Sequence, residues 1–234
     1  MCGALSHPAV SLSGTPSRTR HDAKTLQGSR LRRFAMADFH ALPPDLPAPL
    51  DDGAADHLVG AHLPPVALPA TSGPGVVLAS LPLVVVYVYP RTGTPGVALP
   101  DGWDEIPGAR GCTVQNCVFR DHARELSELG AAVHGLSAQP ADEQVAFAEG
   151  EGLPYPLLND AELVLARELG LPTFEAGGMR LYQRLTFVAR EGVVEWVRYP
   201  VFPPGSDAGA VLEWLSRGPR TRRAGSGRTP AADS

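Results

Sequence analysis

Two cysteines five positions apart, Cys112 and Cys117 in the stretch GARGCTVQNCVFRDH (108–122), raise the first question of chemistry. A glycine-rich turn precedes them and helix-compatible residues follow, so Cys112 stands where a helix is expected to begin. A thiol becomes a nucleophile by ionising, and a helix N-terminus or a neighbouring cation favours that ionisation. Cys112 has the first by position, and Arg110 lies beside it in the chain. In a regular helix Cα atoms five residues apart are separated by roughly 8.6 Å, whereas a disulfide requires less than about 7 Å. A bridge between the two therefore needs the first turn to unwind, which suits a transient, catalytic disulfide and not a static staple. Two other readings stand beside this one. The pair could be small buried hydrophobes, a common fate of cysteine, or part of a zinc site, which needs four ligands. Only His122 and His134 are near in sequence, so metal is the least favoured.

Such a pair must be positioned by the surrounding elements. LVVVYVY (83–89) is a continuous β-branched and aromatic run, the mark of a central strand covered on both faces, and Pro90 ends it. Cys112 follows strand, proline and loop. That places it outside the carboxyl end of a central strand, where open α/β sheets put their active sites. A helix is predicted from Cys112 to Gly130, then a buried strand at AAVHGLSA (131–138) and a helix at PADEQVAFAEGEG with Pro140 in its first turn. PYPLLND leads to a further helix at AELVLARELG. LYQRLTFVAREGVVEWVRYP reads as a hairpin turning at Glu191 and Gly192, and DAGAVLEWLSR as a closing amphipathic helix. Upstream, LPATSGPGVVLASL reads as a short hairpin, and residues 50–60 allow a helix. The order implies an α/β domain, a mixed sheet with helices on both faces, spanning 55–216.

Charge divides the chain. Residues 36–216 hold nine basic and 23 acidic residues, a net charge of −14, and the remaining basic residues fall in the ends. An acidic body of this kind repels nucleic acid and anionic membranes, and no run approaches the roughly 20 apolar residues of a membrane span. Residues 1–54 read as a largely disordered extension in which Met36 is an alternative start, and 217–234 as a disordered basic tail. The first 35 residues are Ser- and Arg-rich and poor in acids, the composition of a transit peptide. Three cysteines, counting Cys2, are too few for a disulfide scaffold, so the expected location is the cytoplasm, with an organelle as the alternative.

The residues also carry a resemblance. VVVYVYPRTGTPG, followed after an interruption by CTVQNCVFRDH, resembles the active-site segment of the Q-type, bacterioferritin-comigratory-protein-like peroxiredoxins. QRLTFVAREG is similar to that family's Arg-x-Thr-Phe strand, and GAHLPPVALPATSG to its entry hairpin. The resemblance covers about Gly60 to Leu215. It implies a thioredoxin-like mixed sheet flanked by helices, with an N-terminal hairpin extension. It implies a thiol-dependent peroxidase acting on hydrogen peroxide and small alkyl hydroperoxides, with no metal or organic cofactor and with thioredoxin or a similar dithiol as reductant. A monomer or weak homodimer is expected by the same likeness.

Carried over position by position, Cys112 is similar to the peroxidatic cysteine and Cys117 to the resolving one. Pro90 would shield the thiolate, Thr94 would hold the peroxide, and Arg184 would favour the thiolate and polarise the O–O bond. Thr113 and Gln115 are further candidates to touch substrate. One departure is clear. The family spaces its threonine and peroxidatic cysteine three residues apart, whereas here VALPDGWDEIPGARG (97–111) intervenes between Thr94 and Cys112. The simplest account is a surface insertion before the active-site helix. It leaves open whether Thr94 or Thr113 supplies the hydroxyl, and whether the insert covers the pocket, meets the reductant or has no role. The rival readings are a thiol–disulfide oxidoreductase on the same fold, which would normally show Cys-x-x-Cys, and a peroxide-responsive redox sensor.

Overall fold

The computed structural model describes residues 39–218. Of the stretches expected to be disordered, 1–54 and 217–234, residues 1–38 and 219–234 lie outside the described residues. Strands β1 (Ala67–Leu68) and β2 (Val76–Val77) form the expected short antiparallel hairpin. The central strand β3 (Leu83–Val88) is followed by helices α1 (Cys112–Asp121) and α2 (Ala123–Glu128), then β4 (Ala132–Ser137). Next come α3 (Ala141–Glu151), β5 (Leu158–Asn159), α4 (Val164–Leu169), and the strand pairs β6 (Thr173–Ala176) with β7 (Met179–Tyr182) and β8 (Leu185–Arg190) with β9 (Val193–Arg198). Helix α5 (Asp207–Ser216) closes the chain segment.

The main sheet runs β5-β4-β3-β8-β9, with β3, β4 and β5 parallel and β8 and β9 antiparallel to their neighbours. Every residue of β3 is buried, because the strand's two faces feed two separate cores. Val84, Val86 and Val88 pack with Leu136, Phe187 and Tyr182. Leu83, Val85 and Tyr87 pack on the other side with Phe119, Leu126, Val211 and Leu215 from the helices. This is the mixed sheet flanked by helices that the sequence implies. Among the described residues no helix is long and apolar enough to cross a membrane.

Several boundaries differ from expectation. The helix expected from Cys112 to Gly130 is broken at His122, whose φ of −101° and ψ of 7° leave the helical region. Pro140 caps α3 from outside instead of sitting in its first turn. The helix expected over AELVLARELG is confined to Val164–Leu169, since Asp160 caps it by accepting from the Val164 and Leu165 N–H groups. The hairpin expected from Leu181 begins at Leu185. Leu181 and Tyr182 belong instead to the β6–β7 hairpin, turned by Gly177 and Gly178, both with positive φ. Between residues 50 and 60 only a single 3-10 turn forms, Asp56–Leu58.

The insertion is not a solvated loop. Trp103, in a 3-10 turn, and Ala109 are buried against Ala176 and Leu181 of the β6–β7 hairpin, with Ile106 and Phe174 beside them. Fifteen inserted residues thus carry a small core of their own, built on the one hairpin the sequence pattern did not reveal.

Candidate active site

Strand register brings the first two functional groups together. β3 and β8 pair antiparallel with Val88 opposite Leu185, so Arg184, one residue before β8, stands at the end of the sheet from which the chain leaves β3. That chain returns at Gly111 to start α1 with Cys112 as its first residue. Gly111 adopts φ 101°, and a β-carbon there would meet Pro204 Cγ at 2.5 Å, so both its backbone and its surroundings require glycine.

Arg184 Nη2 lies 3.1 Å from Cys112 Sγ. Both groups are 3% exposed, and a buried guanidinium is costly unless its donors are used. Here they are. Nε donates to the Gly108 carbonyl at 3.2 Å, Nη2 also to Ala109 at 3.1 Å and Arg110 at 3.2 Å, and Nη1 to Gln115 Oε1. Gln115 in turn donates from Nε2 to Asp207 Oδ2 at 2.7 Å, which also accepts from Thr186 Oγ1 at 2.6 Å. Burial raises the Asp207 carboxyl above its ordinary value, while the Thr186 and Gln115 hydrogen bonds and the cations Arg198 and Arg184 oppose the rise. The sulfur therefore lies at the start of a helix against a fixed positive group, and it also approaches the Ala109 carbonyl at 3.5 Å.

Cys117 sits later on α1, half-buried, and both cysteines are free thiols. Its environment is opposite in sign. Sγ lies 3.4 Å from Glu151 Oε2, the last residue of α3, and 3.9 Å from His40 Nδ1. Burial first, and then the Glu151 charge, push the Cys117 thiol up to about 11, with Arg120 opposing. The first turn of α1 is pinned by Asn116, whose Nδ2 donates to the Cys112 carbonyl at 2.9 Å and whose Oδ1 accepts from the buried Tyr87 hydroxyl at 2.8 Å.

Comparison with known proteins decides the family. The AhpC/TSA family model matches residues 106–197. A putative peroxiredoxin of Mycobacterium tuberculosis is 36% identical over 105 residues, a match spanning 45% of this chain and 58% of that protein's length. Peroxiredoxin Q, chloroplastic, of Triticum aestivum is 31% identical over 219 residues, covering 90% of this chain and 92% of the relative. The chain belongs to the Q-type peroxiredoxins. The solved structure of peroxidoxin BcpB from Mycobacterium tuberculosis superposes with a TM-score of 0.55 at 29% identity, over 69% of this chain and 98% of that one.

Within this peroxiredoxin the remaining candidates fall into different places. Thr113 lines the small cavity beside Cys112 together with Phe39, Arg91, Trp103 and Arg110. Thr94 lines a neighbouring cavity of about 260 Å³, which it shares with Thr113, His40, Glu143 and Phe147. Pro90 is buried and lines neither; its carbonyl accepts from Ser137 Oγ at 2.8 Å. Gln115, expected to touch substrate, is fully buried, with its amide engaged by Arg184 and Asp207. His122 pairs with Glu125 at 3.2 Å on the surface, and His134 is a hydrogen-bonded core histidine, its Nδ1 3.0 Å from the Pro156 carbonyl and its pKa lowered by burial.

The sequence reading missed the arm. Phe39 lies over Gly93, where a β-carbon would meet its ring at 2.2 Å, and the Arg110 guanidinium stacks on that ring at 5.4 Å. Leu42 and Pro49 lie within 3.0 and 3.4 Å of where β-carbons would stand on Gly111 and Gly108. Asp207 and Glu151 were also missed, since each looks like an ordinary acid at a helix end. The signal available for the arm was its apolar content before the expected hairpin.

Proposed function

We propose that this chain reduces hydroperoxides with Cys112 as the attacking thiol, recycled through Cys117. The observation that carries the reading is Arg184 Nη2 at 3.1 Å from Cys112 Sγ at the first residue of α1. The Cys112 thiolate attacks one peroxide oxygen, the O–O bond breaks, and the departing alkoxide or hydroxide leaves with the bonding pair and takes a proton. Cys112 is left as a sulfenic acid. Arg184 and the N–H groups of the α1 start are donors aimed at that developing charge. Thr113, which lines the cavity beside the sulfur, is the hydroxyl best placed to hold the peroxide, with Thr94 at the adjoining cavity.

Closure follows by local unfolding. The first turn of α1 opens, Cys117 attacks the sulfenic sulfur, and water departs as the disulfide forms. An external dithiol of the thioredoxin type then restores both thiols by exchange. The substrates are hydrogen peroxide and small alkyl hydroperoxides. The chloroplastic relative favours the organelle alternative for residues 1–35, tested by the location of a fluorescent fusion bearing them.

Intact mass after equimolar hydrogen peroxide tests the division of labour. The reduced wild type is expected to lose two hydrogens, Cys117→Ser to gain one oxygen, and Cys112→Ser to stay unchanged. A wild type that stays reduced, or a Cys117 that oxidises without Cys112, overturns the reading.

A further inference from the structure

The resolving thiol sits in a cluster that the disulfide cycle does not use. Cys117 Sγ is 3.4 Å from Glu151 Oε2 and 3.9 Å from His40 Nδ1, and His40 Nε2 is 3.3 Å from Glu151 Oε1. The three residues come from separate segments, α1, the end of α3 and the N-terminal arm. One donor atom from each lies within 4.8 Å of the others. We propose that Cys117, His40 and Glu151 bind a borderline divalent cation of the zinc class, and that the bound ion holds the resolving thiol away from Cys112.

Donor geometry supports the assignment. A tetrahedral zinc with bonds of about 2.3 Å to sulfur and about 2.0–2.2 Å to nitrogen and oxygen separates its donors by roughly 3.4–3.6 Å. The pairwise approaches in the cluster, 3.3 to 3.9 Å, lie near that range but use both ring nitrogens and both carboxylate oxygens, and with one donor atom from each residue the three lie within 4.8 Å of one another, so small side-chain rotations close the shell. A single ring nitrogen must serve the ion, and His40, 60% exposed on the arm, has room for the small rotation this takes. Thiolate, imidazole and carboxylate together suit zinc and its neighbours, whereas magnesium and calcium take all-oxygen shells. Three protein donors leave a fourth position for water.

Arg120 is the opposing charge. Its Nη1 lies 3.3 Å from Glu151 Oε2 and 2.8 Å from the Glu151 carbonyl, so it claims one carboxylate oxygen and leaves Oε1 facing His40. Asp121 pairs with Arg120 Nε at 3.0 Å and draws off part of that charge. In this arrangement Arg120 acts as the outer partner that orients a ligating carboxylate.

Binding moves no electrons. The Cys117 S–H bond breaks, the sulfur bonds the cation, and the proton goes to solvent. The gating consequence rests on the proposed role of Cys117. A metal-bound Cys117 cannot condense with the Cys112 sulfenic acid, so peroxide still oxidises Cys112 while the disulfide waits for the ion to leave.

Titration calorimetry of Zn²⁺ alone into the reduced protein tests the site without peroxide. Wild type and Cys112→Ser are expected to bind a single ion and disulfide-oxidised wild type none. His40→Ala, exposed and therefore safe for folding, should weaken binding by at least about tenfold, the cost of losing even an outer partner. Cobalt(II) should give a thiolate charge-transfer band that Cys117→Ser lacks. Undetectable binding, binding unmoved by His40→Ala, or a band that survives Cys117→Ser overturns the site. With Zn²⁺ bound, disulfide formation after equimolar peroxide should slow by about tenfold or more and recover on chelation. An unchanged rate overturns the gate while leaving the site and the peroxidase reading standing.

Discussion

Glu151→Gln should speed disulfide formation, and the size of the gain can be worked from the surroundings of Cys117. The thiol is raised from an ordinary 9.0 to about 11, by burial first and by the Glu151 charge second. At neutral pH that leaves on the order of one thiolate in ten thousand. Burial survives the substitution, so removing the charge recovers at most about half of the rise, up to roughly a tenfold gain in thiolate. A less basic thiolate is also a weaker nucleophile, with a Brønsted coefficient of about 0.4–0.5, which reduces the gain in rate to roughly three- to fourfold. Arg120, released from Glu151 Oε2, adds to the effect in the same direction. The assay is stopped-flow mixing of reduced protein with equimolar peroxide in the presence of a chelator, quenched and read by mass for sulfenic acid against disulfide. Below the Cys117 pKa the rate should rise about tenfold per pH unit in both proteins. A rate flat with pH refutes the reasoning, because helix opening then governs the step. A slower Glu151→Gln refutes it differently, because the carboxylate then takes the proton.

Arg184→Lys keeps the charge and loses the fork that spans the Gly108, Ala109 and Arg110 carbonyls. Peroxide kcat/KM should fall by about 10²–10³, as for loss of one preorganised donor. Asn116→Ala removes the side-chain bond to the Cys112 carbonyl and one partner of the Tyr87 hydroxyl. It should cost about 1–3 kcal/mol in denaturant unfolding while accelerating disulfide formation, because the first turn opens more readily. Trp103→Ala empties the core of the insertion, where Trp103 is 3% exposed. It should cost about 3–5 kcal/mol and slow Cys112 oxidation, since Ala109, whose carbonyl Arg184 holds, shares that core.

What the sequence made legible was whatever a local pattern encodes. The run at 83–89 marks β3 because a strand covered on both faces carries no polar alternation. Glu191 and Gly192 mark the β8–β9 turn, where both adopt positive φ. Cys112, Cys117 and Arg184 were legible through a motif spacing that survives the insertion. Thr173–Ala176 and Met179–Tyr182 were not, because their partner is the insert and its apolar contacts are distant in the chain. β5 is two residues long and pairs through Leu136 with Leu158 and Ser137 with Asn159, too short for any periodicity. His40 was invisible as a neighbour of Cys117 for the same reason, the two standing 77 positions apart. The two histidines near in sequence face Glu125 and Pro156 instead.

An insertion of fifteen residues directly before α1 should displace that helix unless something fixes where the insertion ends. Arg184 supplies that boundary. Its guanidinium grips the carbonyls of Gly108, Ala109 and Arg110, the residues immediately before the helix start, and through Gln115 it also grips the first turn of α1. The group that faces Cys112 Sγ therefore also sets the entry of the chain into α1. Length added between Gly96 and Pro107 can be absorbed by packing Trp103 and Ile106 on the β6–β7 hairpin without moving the sulfur. On this account, alanine at Arg184 costs more than a charge. It frees three carbonyls and the helix start together, so a methionine that fills the space without donating should lose nearly as much peroxidase activity as alanine while unfolding at a higher denaturant concentration. Equal midpoints for the two variants would show that the space Arg184 fills adds nothing to stability, and a methionine variant that kept near wild-type activity would show that packing, and not the guanidinium's hydrogen bonds, holds the insertion's end in place.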